Sequence, residues 1–193
     1  MSSPLPHKLQ KIFEQTLALV LPTAIRAGGP VLVTMKREDG EPAVDKRGIF
    51  IQQFKRGLTE QFAQAAKKPD DKNAAPAKKV ENTREAMEER ISKYSLVDSE
   101  LLEAQLLIER ICNALQAEHQ YDVDCLGMRL ERMAGITVER SNNPLSAKHI
   151  TTVFHQCCDV LQPTKMSSDA AMTNWGKALK EAYPQWLKQL NQL

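Results

Sequence analysis

No apolar run in this chain approaches the roughly 18 residues of a membrane-spanning helix. The longest candidate, Leu17 to Leu21, stops at Pro22. The opening residues, MSSPLPHKLQK, lack the basic-then-apolar layout and small-residue cleavage site of a secretory leader, so the expectation is a cytoplasmic protein. Phosphate-cradling loops are missing as well: neither Gly-x-x-x-x-Gly-Lys-Ser/Thr nor Gly-x-Gly-x-x-Gly occurs, and Gly28-Gly29 reads as a helix breaker. There is no Cys-x-x-Cys pair, and the four cysteines (Cys112, Cys125, Cys157 and Cys158) are expected to be reduced thiols. Aromatic residues are only 5% of the chain, which leaves Leu, Ile, Val, Ala and Met to build a core. A net charge of +2 over 193 residues is too small for global electrostatics to point to nucleic acid.

What remains is an ordinary globular composition, 42% hydrophobic and 26% charged, in a chain long enough to bury a core. Its apolar residues recur at helical spacing. Leu9, Ile12, Phe13, Leu17 and Val20 mark a first helix that Pro22 and then Ala27-Gly28-Gly29-Pro30 are expected to end. Val31 to Met35 is the one β-like run; without a partner strand it reads as a loop or a short helical turn. Asp45 is a candidate cap for a second helix, about Lys46 to Lys67, with Ile49, Phe50, Phe54, Leu58, Phe62 and Ala65 or Ala66 in one stripe. Residues 67–79 carry two prolines, five lysines and no large apolar side chain, the composition of a flexible tether.

A short charged helix, Glu81 to Ile91, is expected next. A long one follows, with Ser95 or Asp98 as its cap. Its rows of Leu101, Ala104, Ile108, Ile111 and Leu115, widened by Leu102, Leu106 and Cys112, make an apolar arc broad enough for the centre of a bundle. Tyr121-Asp122 marks a turn into a helix bearing Val123, Leu126, Leu130 and Met133, which Gly135 stops. Asn143 as N-cap with Pro144 at the first helical position opens another, with Ile150, Val153, Phe154, Cys157, Val160 and Leu161 facing inward and Pro163 closing it. A last segment begins at Ser167, Ser168 or Asp169 and is expected to kink near Pro184.

Leu96-Val97-Asp98 followed by Glu100-Leu101, a long apolar helix, a shorter one and then Asn143-Pro144-Leu145 resembles a large bacterial family of unknown function, some of whose members are called thymidine-phosphorylase-like. The likeness is best over Tyr94 to Leu161. Lys46 to Gln64 looks like that family's preceding basic helix, and the segment through Trp175 and Pro184 like its following helices. The resemblance implies an all-helical interaction module, corresponding to the family's N-terminal helical region. It transfers no catalytic residue. The Arg-rich entry and Asp-x-Ser-x-x-Gly signature of the cyclic-dinucleotide-binding barrel that some members carry are not in this sequence.

Chemistry-bearing residues are few. His149, His155, Cys157 and Cys158 lie close in sequence, but buried thiols explain the cysteines without a metal. Cys125 or Cys157 as a nucleophile needs a basic partner such as His119 or His155. Asp98, Glu100 and Glu103 read as helix-start residues before an acid–base pair. Arg129, Arg132 and Arg140 sit in a helix–turn–helix-like context, and Lys46, Arg47, Lys55 and Arg56 form a basic surface. Trp175, Leu179, Ala182, Trp186 and Leu190 make a stripe that either docks on its own bundle or anchors a partner; Trp175, Leu179, Trp186 and Leu190 are the candidate partner-binding residues.

The sequence therefore predicts an all-α helical bundle: an N-terminal helical pair over residues 1–67, a flexible linker over 68–80, and a C-terminal bundle over 81–193. No catalytic, cofactor-binding or metal-binding residues are expected. The functional expectation is a non-catalytic bacterial adaptor or regulatory subunit working through protein–protein contacts, with homo-oligomerisation open. The alternative is a regulator that binds nucleic acid or a cyclic-dinucleotide signal through its basic helices.

Overall fold

The computed structural model describes residues 7–32, 45–66, 99–134, 138 and 142–192. These form six helices and no strand: α1 (His7–Ala27), α2 (Gly29–Leu32), α3 (Arg47–Ala65), α4 (Ser99–Ala134), α5 (Ala147–Val160) and α6 (Lys165–Leu190). The tether, the charged helix at 81–91, the Ser95 or Asp98 cap, the stop at Gly135 and Arg140 all lie outside the described residues.

The protein is an all-α bundle. Helix α6 is its hub: it packs on α1, α2, α4 and α5, while α3 lies against α1 and α5. The N-terminal helices are thus built into the bundle, and one hydrophobic cluster runs from Leu9 on α1 through Phe50 and Phe62 on α3 to Leu190 on α6. The centre is not α4. Its arc is only partly used: Ile108, Cys112 and Leu115 are buried, but Leu102 and Leu106 remain 47% and 56% exposed.

Local signals explain most of the elements and misplace several boundaries. Helix α1 continues through Pro22 to Ala27. Pro22 is exposed and so is Ala18, whose carbonyl loses its helical partner, so water can take that bond. The same reasoning lets α6 run through Pro184, whose orphaned carbonyl belongs to the exposed Lys180. The start of the β-like run is helical in α2, with Leu32 accepting the amide of Lys46 at 2.9 Å. In α3 the stripe is buried as its spacing predicts, except Ile49, which is 49% exposed. Val160 likewise faces solvent, at 53%.

The expected turn at Tyr121-Asp122 is a kink instead. α4 is continuous, with non-helical dihedrals only at His119 (φ −117°, ψ 17°). The imidazole there meets the Tyr183 ring edge-on at 6.2 Å. Nor is Asn143 the cap of α5. Ser146 caps it, its hydroxyl accepting from the His149 amide. Asn143 closes a turn by accepting from Leu145 N at 3.0 Å and reaches back to Val123 O on α4 at 3.3 Å. Tyr183 then donates its hydroxyl to Leu145 O at 3.0 Å. The Asn-Pro-Leu segment therefore ties α4, α5 and α6 together.

Candidate functional site: a cleft between α4, α5 and α6

Where α5 ends, the chain must reverse into α6. Gln162 takes a left-handed conformation (φ 48°), and Thr164 caps α6, accepting from the Ser167 amide at 3.3 Å while Ser167 Oγ donates back to Thr164 O at 2.9 Å. The cap is thus Thr164, upstream of Ser167, Ser168 and Asp169. The first of these bonds satisfies an amide that a helix start otherwise leaves open, and the second fixes the Ser167 hydroxyl against the Thr164 carbonyl.

The reversal leaves a cleft of about 890 Å³ between the first turns of α4, the end of α5 and the first turns of α6. Leu107 and Met172 contribute apolar surface, and Leu106 and Pro163 also line it. Two polar pairs border it. Lys165 Nζ on α6 donates to Glu103 Oε2 on α4 at 3.0 Å, and His155 Nδ1 lies 3.0 Å from Asp159 Oδ2 one turn along α5. Arg110 and Asp169 add one charge of each sign. The lining carries both signs in similar number, so it does not select strongly for anions or cations. Its chemistry fits a surface with apolar and paired polar elements.

Residues 7–193 match the family described as "Protein of unknown function (DUF1631) N-terminal domain". The chain belongs to this family. The match takes in α1 to α3 as well as the stretch from Tyr94 to Leu161 that carries the resemblance in sequence. No curated protein and no solved structure matches the chain.

Within this DUF1631 domain the candidate residues do not converge. The four proposed anchors are interior. Trp175 and Leu179 are fully buried, and Trp186 and Leu190 are 5% and 4% exposed. The Trp175 ring stacks on Phe154 with centroids 4.5 Å apart, and its Nε1–H donates to Thr151 Oγ1 at 3.1 Å. The stripe docks on its own bundle, because α6 is surrounded by α1, α4 and α5. Presenting these tryptophans to a partner would require opening the core.

The basic surface is partly spent on local structure. Lys46 Nζ donates to the carbonyl of Leu161, the C-cap of α5, at 2.7 Å, where a cation meets the negative helix end. Arg47 lies 3.8 Å from Asp45, whose carboxylate also accepts the Arg47 amide at 2.9 Å. Arg56 pairs with Glu60 at 3.4 Å, and Lys55 is exposed. Arg129 and Arg132 are exposed on the far half of α4, after a kink and not a helix–turn–helix turn.

The thiols and histidines are scattered. Burial raises the pKa of Cys112, Cys157 and Cys158, that of Cys157 to about 12, so these thiols stay protonated and unreactive at neutral pH. Cys125 is half-buried beside the exposed Tyr121, and a hydrogen bond to Cys125 raises the phenol's pKa. His149 Nδ1 is 2.7 Å from Ser146 Oγ, and burial, then the charge of Lys148, lowers its pKa. Among the described histidines and thiols, His155 alone lines the cleft. Among the described residues no group of three or more His, Cys, Asp or Glu side chains is placed to hold a metal ion, and no helix is long and apolar enough to cross a membrane. Side chains of the proposed acid–base set other than Glu103 lie outside the described residues, and Glu103 is engaged by Lys165.

Sequence reasoning missed the cleft. Its lining comes from residues 103–110, 155–163 and 165–173, brought together by packing. The available signal was Leu106, one of the two leucines that widened the apolar arc and remain exposed.

Proposed function

We propose that the chain is a non-catalytic interaction module, an adaptor or regulatory subunit of a bacterial cytoplasmic complex. It works through the outward face of α4 and the adjoining cleft. The observation that carries this reading is the exposure of Leu102 and Leu106, at 47% and 56%, one turn apart on the same helix face. Aliphatic side chains left in water beside a polar-rimmed cleft gain free energy when a partner covers them. The buried thiols Cys112, Cys157 and Cys158 lie away from the cleft lining and Glu103 is engaged by Lys165, which favours the non-catalytic part.

Partner capture from the native host, read by mass spectrometry, tests the proposal when wild type is compared with Leu106→Asp. Partners recovered by wild type and lost by a variant of unchanged helicity support it; equal recovery by both sinks it. The alternative, binding of nucleic acid or a cyclic dinucleotide through Lys46, Arg47, Lys55 and Arg56, is weakened by the local engagement of Lys46, Arg47 and Arg56. It predicts steeply salt-dependent binding to duplex DNA or a labelled cyclic dinucleotide.

A further inference from the structure

Helices α4 and α6 run side by side in the same direction as the two walls of the cleft. Lys165 reaches Glu103 near their starts at 3.0 Å, and farther along a Cβ on Gly176 would stand 3.2 Å from Ile111 Cγ1. That second contact puts the lining of both walls on one axial scale. At about 1.5 Å per residue, Asp169 lies about 10.5 Å before it, Leu106 about 7.5 Å, Thr173 about 4.5 Å and Arg110 about 1.5 Å. Asp169 and Thr173 belong to α6, Leu106 and Arg110 to α4. Each step from one to the next is therefore about 3 Å along the cleft and crosses to the other wall. An extended peptide has the same metric: it rises about 3.3 Å per residue and turns successive side chains to opposite faces.

Charge says what such a peptide carries. His155 is paired with Asp159 and Lys165 with Glu103. Arg110 and Asp169 are exposed and have no ion pair or hydrogen bond among the described residues. They are opposite in sign, stand on opposite walls and are about 9 Å apart along the cleft. We propose that the cleft binds an extended segment of a partner protein in which a basic and an acidic residue lie three positions apart. The basic side chain pairs with Asp169 and the acidic one with Arg110. The residue beside the basic one is aliphatic and covers Leu106, and the next lies against the exposed Thr173. A volume of about 890 Å³ is adequate for such a tetrapeptide core, since ligand clefts run from about 300 to 1,000 Å³. The inference rests on the reading of the cleft as an interaction surface and names the chemistry of the partner that fits it.

Titration of the isotope-labelled 193-residue chain with acetylated and amidated Lys-Leu-Ser-Glu, followed by amide NMR, tests the site. Saturable shifts are expected at Arg110, Asp169 and Thr173, with this peptide or with its reverse, Glu-Ser-Leu-Lys, according to which way the segment lies. Lys-Leu-Glu, whose charges share one face, is expected to bind about threefold or more weakly, the scale of exposed ion pairs. Arg110→Glu is expected to weaken Lys-Leu-Ser-Glu by a similar factor and to prefer Lys-Leu-Ser-Lys. Asp169→Lys is expected to prefer Glu-Leu-Ser-Glu. Both side chains are exposed, so both variants should keep the wild-type melting temperature.

No shifts from either peptide order at millimolar concentration overturn the peptide site. So does equal binding of Lys-Leu-Glu, or a charge variant that keeps the wild-type preference. Free leucine binding as tightly as the peptides puts a small zwitterion in the cleft instead. The same amides shifting as the chain alone is concentrated put a second copy there. The interaction-module reading is tested apart from this, by the capture experiment. Captured partners without peptide binding overturn the peptide site alone. Peptide binding without a captured partner leaves the site standing and removes the adaptor role.

Discussion

Thr151 on α5 and Trp175 on α6 are joined by a hydrogen bond inside the core, the indole N–H donating to the threonine hydroxyl at 3.1 Å with both residues fully buried. The same hydroxyl accepts from the Cys112 thiol on α4 at 3.6 Å. One threonine thus meets the polar groups of the two other helices that come together there.

Thr151→Val keeps the shape and removes the acceptor. The indole N–H is left buried without a partner, which costs about 1–3 kcal/mol. Urea denaturation is expected to show this loss, with Thr151→Ser restoring most of it. Equal stability of the valine variant and wild type would show that the bond contributes nothing net.

Gly57 lets α3 approach α5. A Cβ at that half-buried position would stand 3.0 Å from Cγ1 of the fully buried Val153. Gly57→Leu is therefore expected to destabilise the fold by about 1–3 kcal/mol through overpacking, despite its better helix propensity. Trimming the facing residue with Val153→Ala should recover part of the loss, read as a coupling energy in a double-mutant cycle.

Asn143 links α4 to the start of α5 through Leu145 N and Val123 O. Asn143→Ala removes both bonds at a buried position, and a loss of about 1–3 kcal/mol is expected. Because Tyr183 bonds the neighbouring Leu145 carbonyl, Tyr183→Phe in the same background is expected to lose less than the two single changes added together.

The pH dependence follows from the buried thiols and His149. Folding raises the pKa of Cys112, Cys157 and Cys158 above the ordinary 9.0, so the native state holds protons that the unfolded chain gives up. Their contribution is complete below pH 9 and is lost as pH rises beyond it. His149 runs the other way. Its folded pKa is depressed below 6.5, so its contribution is present above 6.5 and falls away as pH drops below it. Melting temperature against pH is expected to decline on both sides, with Cys158→Ala flattening the alkaline limb and His149→Gln the acidic one. An alkaline limb unchanged by Cys158→Ala would remove that thiol from the explanation.

The amino-acid sequence alone determined that this chain is helical and which faces turn inward. Phe50, Phe54, Leu58 and Phe62, then Val123, Leu126 and Leu130, then Ile150, Val153 and Phe154, repeat at the spacing of a helix, and burial selects that repeat directly. Caps were less legible, because Asn143, Ser146, Thr164 and Ser167 all carry oxygens able to bond an amide. Which one does so depends on where the neighbouring helix holds the chain. Prolines misled for a related reason: Pro22 and Pro184 interrupt a hydrogen bond, but only the packed helix shows that the freed carbonyls face water.

The tertiary structure alone decided what the apolar stripes are for. Trp175 and Trp186 have the pattern of an anchor, and they became core because α6 is enclosed by other helices. Leu102 and Leu106 have the pattern of a core, and they became surface because α4 meets its neighbours along a narrower arc than its sequence offers. Periodicity fixes which residues share a face; only the arrangement of the other helices fixes whether that face is covered.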